Sequence, residues 1–264
     1  MVDQGSRAAD SVQHSELFER VARAGHVVSG VLHLVIAAII VGLATGDSGS
    51  ASQSGALAEV AARPGGTVAL WAAVVGFLGL AVWRVLEAAV GKKRDADGGS
   101  LLDRAKAGSL AVIYFAFAWS AFQFAIGSGS SDSQQNASMS ARMMQSGLGK
   151  FALVVVGIVV LAVGGYHIYK GVSRNFLDDL SGQPKAVEYI GIGGYAAKGA
   201  ALAGAGVLVI AAVFTADPNK ASGMDAAIKS LGAQPYGPTL LVIAGVGIGL
   251  YGLYAFAMAK WAKM

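Results

Sequence analysis

Six side chains carry the chemistry that this sequence offers: His33, Arg84, Glu87, Tyr114, His167 and Lys198. All six fall within long apolar stretches, where an ionisable group is costly and marks a functional position by default. His33 shares a helical face with His26 and Ser29. Neutral imidazole binds metals and titrates near neutral pH, so this face reads as a proton or metal site, or, with His167, as a haem ligand pair. The plainer reading is a histidine hydrogen-bonded between helices, its slot filled by Tyr114 one repeat later. Arg84 and Glu87 stand three residues apart and can pair, either as a gate at the mouth of a cavity or as an arginine snorkelling to the interface. Lys198 falls one turn into the fifth expected span, from where it reaches lipid phosphate or, with Gly-rich backbone amides, forms a specific headgroup site. Cys is absent, which removes disulfides, thiolate metal sites and thiol nucleophiles. The acids between spans, Asp47, Glu59, Asp132, Asp217 and Asp225, have no His beside them, so no catalytic set assembles. The expectation is a protein that is not an enzyme and has no cofactor.

The elements that position these residues are membrane helices. Of 264 residues 55% are hydrophobic and 14% charged, and the charges collect between apolar stretches near the roughly 20 residues that cross a hydrocarbon core. No stretch alternates as a barrel strand would. Spans are expected over Ala24–Ala44, Thr67–Val90, Ala107–Ile126, Phe151–Tyr169, Tyr195–Phe214 and Thr239–Ala259, with a short surface helix over Ser15–Arg23. Arg7, Arg20, Arg23, Lys92, Lys93, Arg94, Arg104, Lys106, Lys170, Arg174, Lys185, Lys260 and Lys263 gather on one side, and Arg63, Arg142, Lys150, Lys220 and Lys229 lie on the other. By the positive-inside rule both termini are cytoplasmic, and the basic balance is a matter of topology and anionic lipid, not of nucleic acid.

An internal repeat organises the chain. The loops from Gly55 to Gly66, Ser138 to Gly149 and Gly223 to Gly237 each read as a short helix stopped by Gly, and Trp83, Tyr166 and Tyr254 each follow seventeen residues after the last Gly, at the depth of an interface. In the first helices Gly25-His-Val-Val-Ser-Gly30 pairs with Gly194-Tyr-Ala-Ala-Lys-Gly199, Arg23 with Arg104, and His33 with Tyr114. Lys106 and Ala111 replace the two glycines in the second copy. The reading is an all-α integral membrane protein: six transmembrane helices as three tandem hairpins over residues 20–94, 101–176 and 187–261, behind an N-terminal segment 1–19. A pseudo-three-fold bundle is the natural arrangement. Gly157, Gly165, Gly245 and Gly249 are assigned to close helix packing. Gly191-Ile-Gly193-Gly-Tyr-Ala196 has dinucleotide-fingerprint spacing but opens a membrane helix, so the mechanism is missing.

These openings and loops, with Gly249-Leu-Tyr-Gly-Leu-Tyr-Ala-Phe256, resemble the bacterial membrane family catalogued as domain of unknown function 1206, over roughly Arg20 to Trp261. The resemblance implies the fold and a bacterial inner membrane, and no activity. Three classes follow. One is an accessory subunit binding another membrane protein. Another is a solute or ion pathway lined by His33, Tyr114, Ser120 and Gln123, which requires a continuous polar lumen. The third is a lipid-binding protein with its site near Lys198 and Arg84, which requires a groove open to the bilayer and ending in cations.

Overall fold

The computed structural model describes residues 16–90 and 101–263, and the expectations placed on Arg7, Ser15, Lys92, Lys93 and Arg94 lie outside them. Six long apolar helices form the body: α1 (Glu16–Ala44), α3 (Gly66–Val90), α4 (Leu101–Ala125), α6 (Gly147–Val172), α7 (Lys185–Thr215) and α9 (Gly237–Trp261). Three short helices, α2 (Gln53–Ala61), α5 (Asp132–Met143) and α8 (Met224–Gly232), fill the loops opposite the basic side. Ser52 caps α2 and Ser146 caps α6, each hydroxyl accepting an N–H from its own first turn.

The expected surface helix is present over its described residues, 16–23, and runs without a break into the span as the beginning of α1. Nothing breaks the helix there, and Arg20–Glu16 and Arg23–Glu19 pairs one turn apart carry it outward. The fifth span likewise begins at Lys185, ten residues before its expected start, because the glycines at its opening pack against neighbours and do not end the helix.

Tight packing falls between consecutive hairpins: α3 on α4, α6 on α7, and α9 back onto α1. Matching small residues sit at the three seams. A Cβ on Gly30 would meet the Gly252 carbonyl oxygen at 3.0 Å, and one on Gly199 would meet that of Gly164 at 2.6 Å. The corresponding Ala111 and Ala81 are buried between α4 and α3. One layer away Gly157 faces Gly206 and Gly245 faces Ala37, with Val74 and Ala118 buried at the third seam. Backbones that approach this closely replace the hydrophobic drive that lipid cannot supply. Gly157 and Gly245 therefore do what the sequence assigns to them. Gly165 has nothing within 4 Å and Gly249 makes only an ordinary contact, so those two are not packing glycines.

Within the hairpins the three copies differ. In the first, a Cβ on Gly25 would strike the Gly76 oxygen at 2.4 Å; in the third, Gly194 abuts the Tyr251 backbone at 2.6 Å and Gly247 abuts Ala197. The second copy has Lys106 and Val159 at these positions, and α4 and α6 do not pack along each other. The bundle is thus a three-fold ring with one open joint.

Candidate functional site: a cationic pocket behind an open joint

Lys198 lies thirteen residues into α7, about 20 Å from its start at 1.5 Å per residue, not one turn in. It does not reach back to the surface. Its Nζ sits 3.9 Å from the centre of the Tyr251 ring of α9, and the rings of His33 of α1 and Tyr195 of α7 lie 4.8 Å and 5.4 Å from that ring between centroids. Tyr114 of α4 and His167 of α6 are within electrostatic reach of Lys198, and Arg84 of α3 is within reach of Tyr114. Each of the six spans therefore contributes one polar group to a single cluster. Protein surrounds them, yet His33, Tyr114 and Lys198 are each partly accessible.

The charges in this cluster are unevenly satisfied. Arg84 pairs with Glu87 one turn along α3, and the space beside them, bounded also by Asp103, Lys106, Ala107 and Leu110, is about 20 Å3, enough for one water. In this conformation the pair is a local contact within α3. Lys198 has no carboxylate and no hydrogen-bond acceptor among the described residues; the face of Tyr251 is what it touches. His33 and His167 each direct Nδ1–H to the carbonyl oxygen one turn back, Ser29 at 2.7 Å and Val163 at 2.8 Å. This fixes the tautomer and leaves Nε2 as the free acceptor of each ring. Among the described residues, no three His, Asp or Glu are grouped to hold a metal.

Two apolar clusters flank this group of polar side chains. On the side of the short helices, Leu57 of α2 and Ile228 of α8 are buried in one cluster with Ile36, Ile40, Leu70 and Leu241. Gln123, expected to line a lumen, stands on the last turn of α4 and accepts a hydrogen bond from Ser128 of the following loop, and Ser120 is only partly exposed on the same helix. On the basic side, the segment between α6 and α7 folds back over the bundle. Phe176 is fully buried against Tyr195 and Tyr254, and Leu180 bridges to Ala262. Asp179 pairs with Lys170 and Arg174 with Glu188, so this stretch is a packed cover where charge alone reads as solvated surface. Tyr254 belongs to the same cover, 0% exposed with its hydroxyl donating to the Phe176 carbonyl at 3.3 Å, and not to a membrane interface.

Sequence reasoning singled out five helices' contributions and missed Tyr251 and Phe176. Tyr251 has the signal of an aromatic one turn before Tyr254 on a Gly-rich helix; Phe176 has that of an apolar pair, Phe176-Leu177, inside a charged turn. A second, open cleft of about 480 Å3 lies opposite the basic side between α5 and α8, lined by Ser131, Gln134, Ser138, Asn219, Asp225 and Lys229. Its charges are spent internally, since Asp225 accepts from Lys229 and from the Ala51 amide.

The chain is 27% identical over 256 residues to the uncharacterized protein YxxB of Bacillus subtilis (strain 168), covering 93% of this chain and 92% of that protein. No solved structure matches it significantly. The family described as Domain of Unknown Function (DUF1206) matches three times, over residues 24–91, 105–174 and 193–262, and the three copies end with α3, α6 and α9 in turn. This chain, a multi-pass helical membrane protein built from three copies of one hairpin, belongs to that family.

Proposed function

We propose that the protein binds an anionic phospholipid, with Lys198 as the headgroup anchor and His33, Tyr114 and His167 as hydrogen-bonding neighbours. Lys198 carries the argument. A lysine at bilayer depth costs about 2.5–3.5 kcal/mol on insertion scales. A cation over an aromatic face returns about 2 kcal/mol at a desolvated site, and only part of that where the space stays wet. Tyr251 therefore leaves a deficit that an anion in the pocket would remove through a charge-assisted hydrogen bond. Anion and acyl chain together fit a site that is polar inside and framed by apolar helices.

On this reading the protein is a lipid-loaded accessory component of a bacterial inner membrane, not an enzyme, with its basic side and both termini in the cytoplasm. The asymmetric Lys and Arg distribution supports that orientation. A solute path along the axis is disfavoured by the apolar plug of Leu57, Ile228, Leu70 and Leu241.

The test is native mass spectrometry of protein purified in mild detergent. One anionic phospholipid per chain should survive washing in the wild type and in Lys185→Met, an exposed lysine at the start of α7, and be lost in Lys198→Met. Equal retention in both variants would refute the assignment.

A further inference from the structure

We infer that the open joint of the second hairpin is the portal by which the phospholipid reaches Lys198 from the bilayer, and that Lys106 and Tyr166 latch its basic end. The inference rests on the lipid reading above and adds a route to it. The two hairpins that close do so through glycines at Gly25 and Gly76 and at Gly194 and Gly247, positions where an added Cβ would lie 3.0 Å or less from a neighbouring atom. The second hairpin has Lys106 and Val159 at those positions, and a gap opens between α4 and α6. The walls suit an acyl chain: Ile113 on α4 and Val155, Val159 and Val163 on α6 are all exposed. At the basic end Lys106 Nζ donates to the Tyr166 hydroxyl at 2.9 Å and stands 5.1 Å from the ring centre, bridging the gap with side chains where backbones do not meet. Immediately inside this bridge is His167, within electrostatic reach of both Lys106 and Lys198. Latch, histidine and anchor thus form a graded series of cationic or hydrogen-bonding groups leading from the bilayer to the pocket. An anionic headgroup passing inward exchanges one for the next, while its chain stays between α4 and α6.

The absence of native cysteine makes the test direct. A Lys106→Cys/Val159→Cys variant is delipidated, then offered phosphatidylglycerol in mixed micelles, with and without prior bridging by a short bis-maleimide, and bound lipid is read by native mass spectrometry. The unbridged protein should reload and the bridged protein should not; bridging after loading should trap the lipid through a delipidating wash. Reloading of the bridged protein at the unbridged rate, while Lys198→Met stays empty, would overturn the portal and leave the site standing. Loading of Lys198→Met at the wild-type level would instead overturn the lipid reading, and the portal with it. Tyr166→Phe, which removes one hydroxyl and no packing, tests the latch independently of the double variant. Lipid exchange should accelerate several-fold, and an unchanged rate would overturn the latch.

Discussion

Phe176 and Lys198 show how differently a single residue can be committed. Phe176 is fully buried against Tyr195 and Tyr254, holding the folded-back segment onto α7 and α9, and a Cβ on Gly191 would run into its ring at 2.2 Å. The ring and the glycine are a matched pair. Phe176→Ala would empty that space and lose about 3–5 kcal/mol, the range for deleting a buried Phe. It should appear as a markedly lower thermal midpoint in detergent; a midpoint within a degree or two of wild type would mean that the segment does not cap the bundle. Tyr254→Phe removes a hydroxyl that donates to the Phe176 carbonyl at 3.3 Å and leaves the ring packing in place, so its cost should stay near the ~1 kcal/mol of a typical net hydrogen bond. Lys198 makes no comparable packing contribution. In lipid-free protein Lys198→Met should leave the midpoint unchanged or raise it, because the substitution removes an uncompensated cation from the interior. In lipid-loaded protein the same substitution should lower it, since a ligand bound only by the folded state stabilises that state. A midpoint difference between wild type and variant that ignores added phosphatidylglycerol would contradict the anchor role.

At the scale of helices, small residues decide which pairs touch. Gly199 and Gly164 bring the backbones of α7 and α6 so close that a Cβ on either would lie within 2.7 Å of the other's carbonyl oxygen. Gly199→Leu should therefore abolish folded, monodisperse protein in size-exclusion chromatography. Gly165→Leu, one residue from Gly164 but facing open space, should yield protein at wild-type levels. If both variants behaved alike, the seam would not depend on close approach. The same contrast marks the limit of reading the sequence. The spans are legible because twenty apolar residues have one physical use in a membrane. The repeat is legible because loop glycines and one aromatic recur at fixed spacing. Which glycines serve packing is not, since Gly157 and Gly165 look alike until each is assigned a helix face. What Lys198 touches is hidden for a related reason: the Tyr251 ring it faces lies on another helix, α9, which the spacing within α7 does not reveal.

For the whole molecule, the decisive feature is a departure from symmetry that one copy of the repeat records in two residues. Three-fold packing at the seams uses equivalent positions in all copies, with Gly30 and Gly252, Gly199 and Gly164, and Ala111 and Ala81 forming one set. A ring closed at every hairpin would hold the cluster around Lys198 away from lipid. The substitution of Lys106 and Val159 for the paired glycines is visible in the sequence as a divergence of the second copy; that it opens a joint follows only once Gly25 and Gly76 are seen in contact. The divergence should then be reversible. Lys106→Gly/Val159→Gly gives the second hairpin the small residues of the other two, letting α4 approach α6 and bury the valines that now stand exposed. Spin labels placed at Ile113→Cys and Ala162→Cys should move closer together than in the parent background by double electron–electron resonance, and co-purified phospholipid should fall even though Lys198 is untouched. An unchanged label distance would mean that the seams with α3 and α7, and not the missing glycines, hold the gap open.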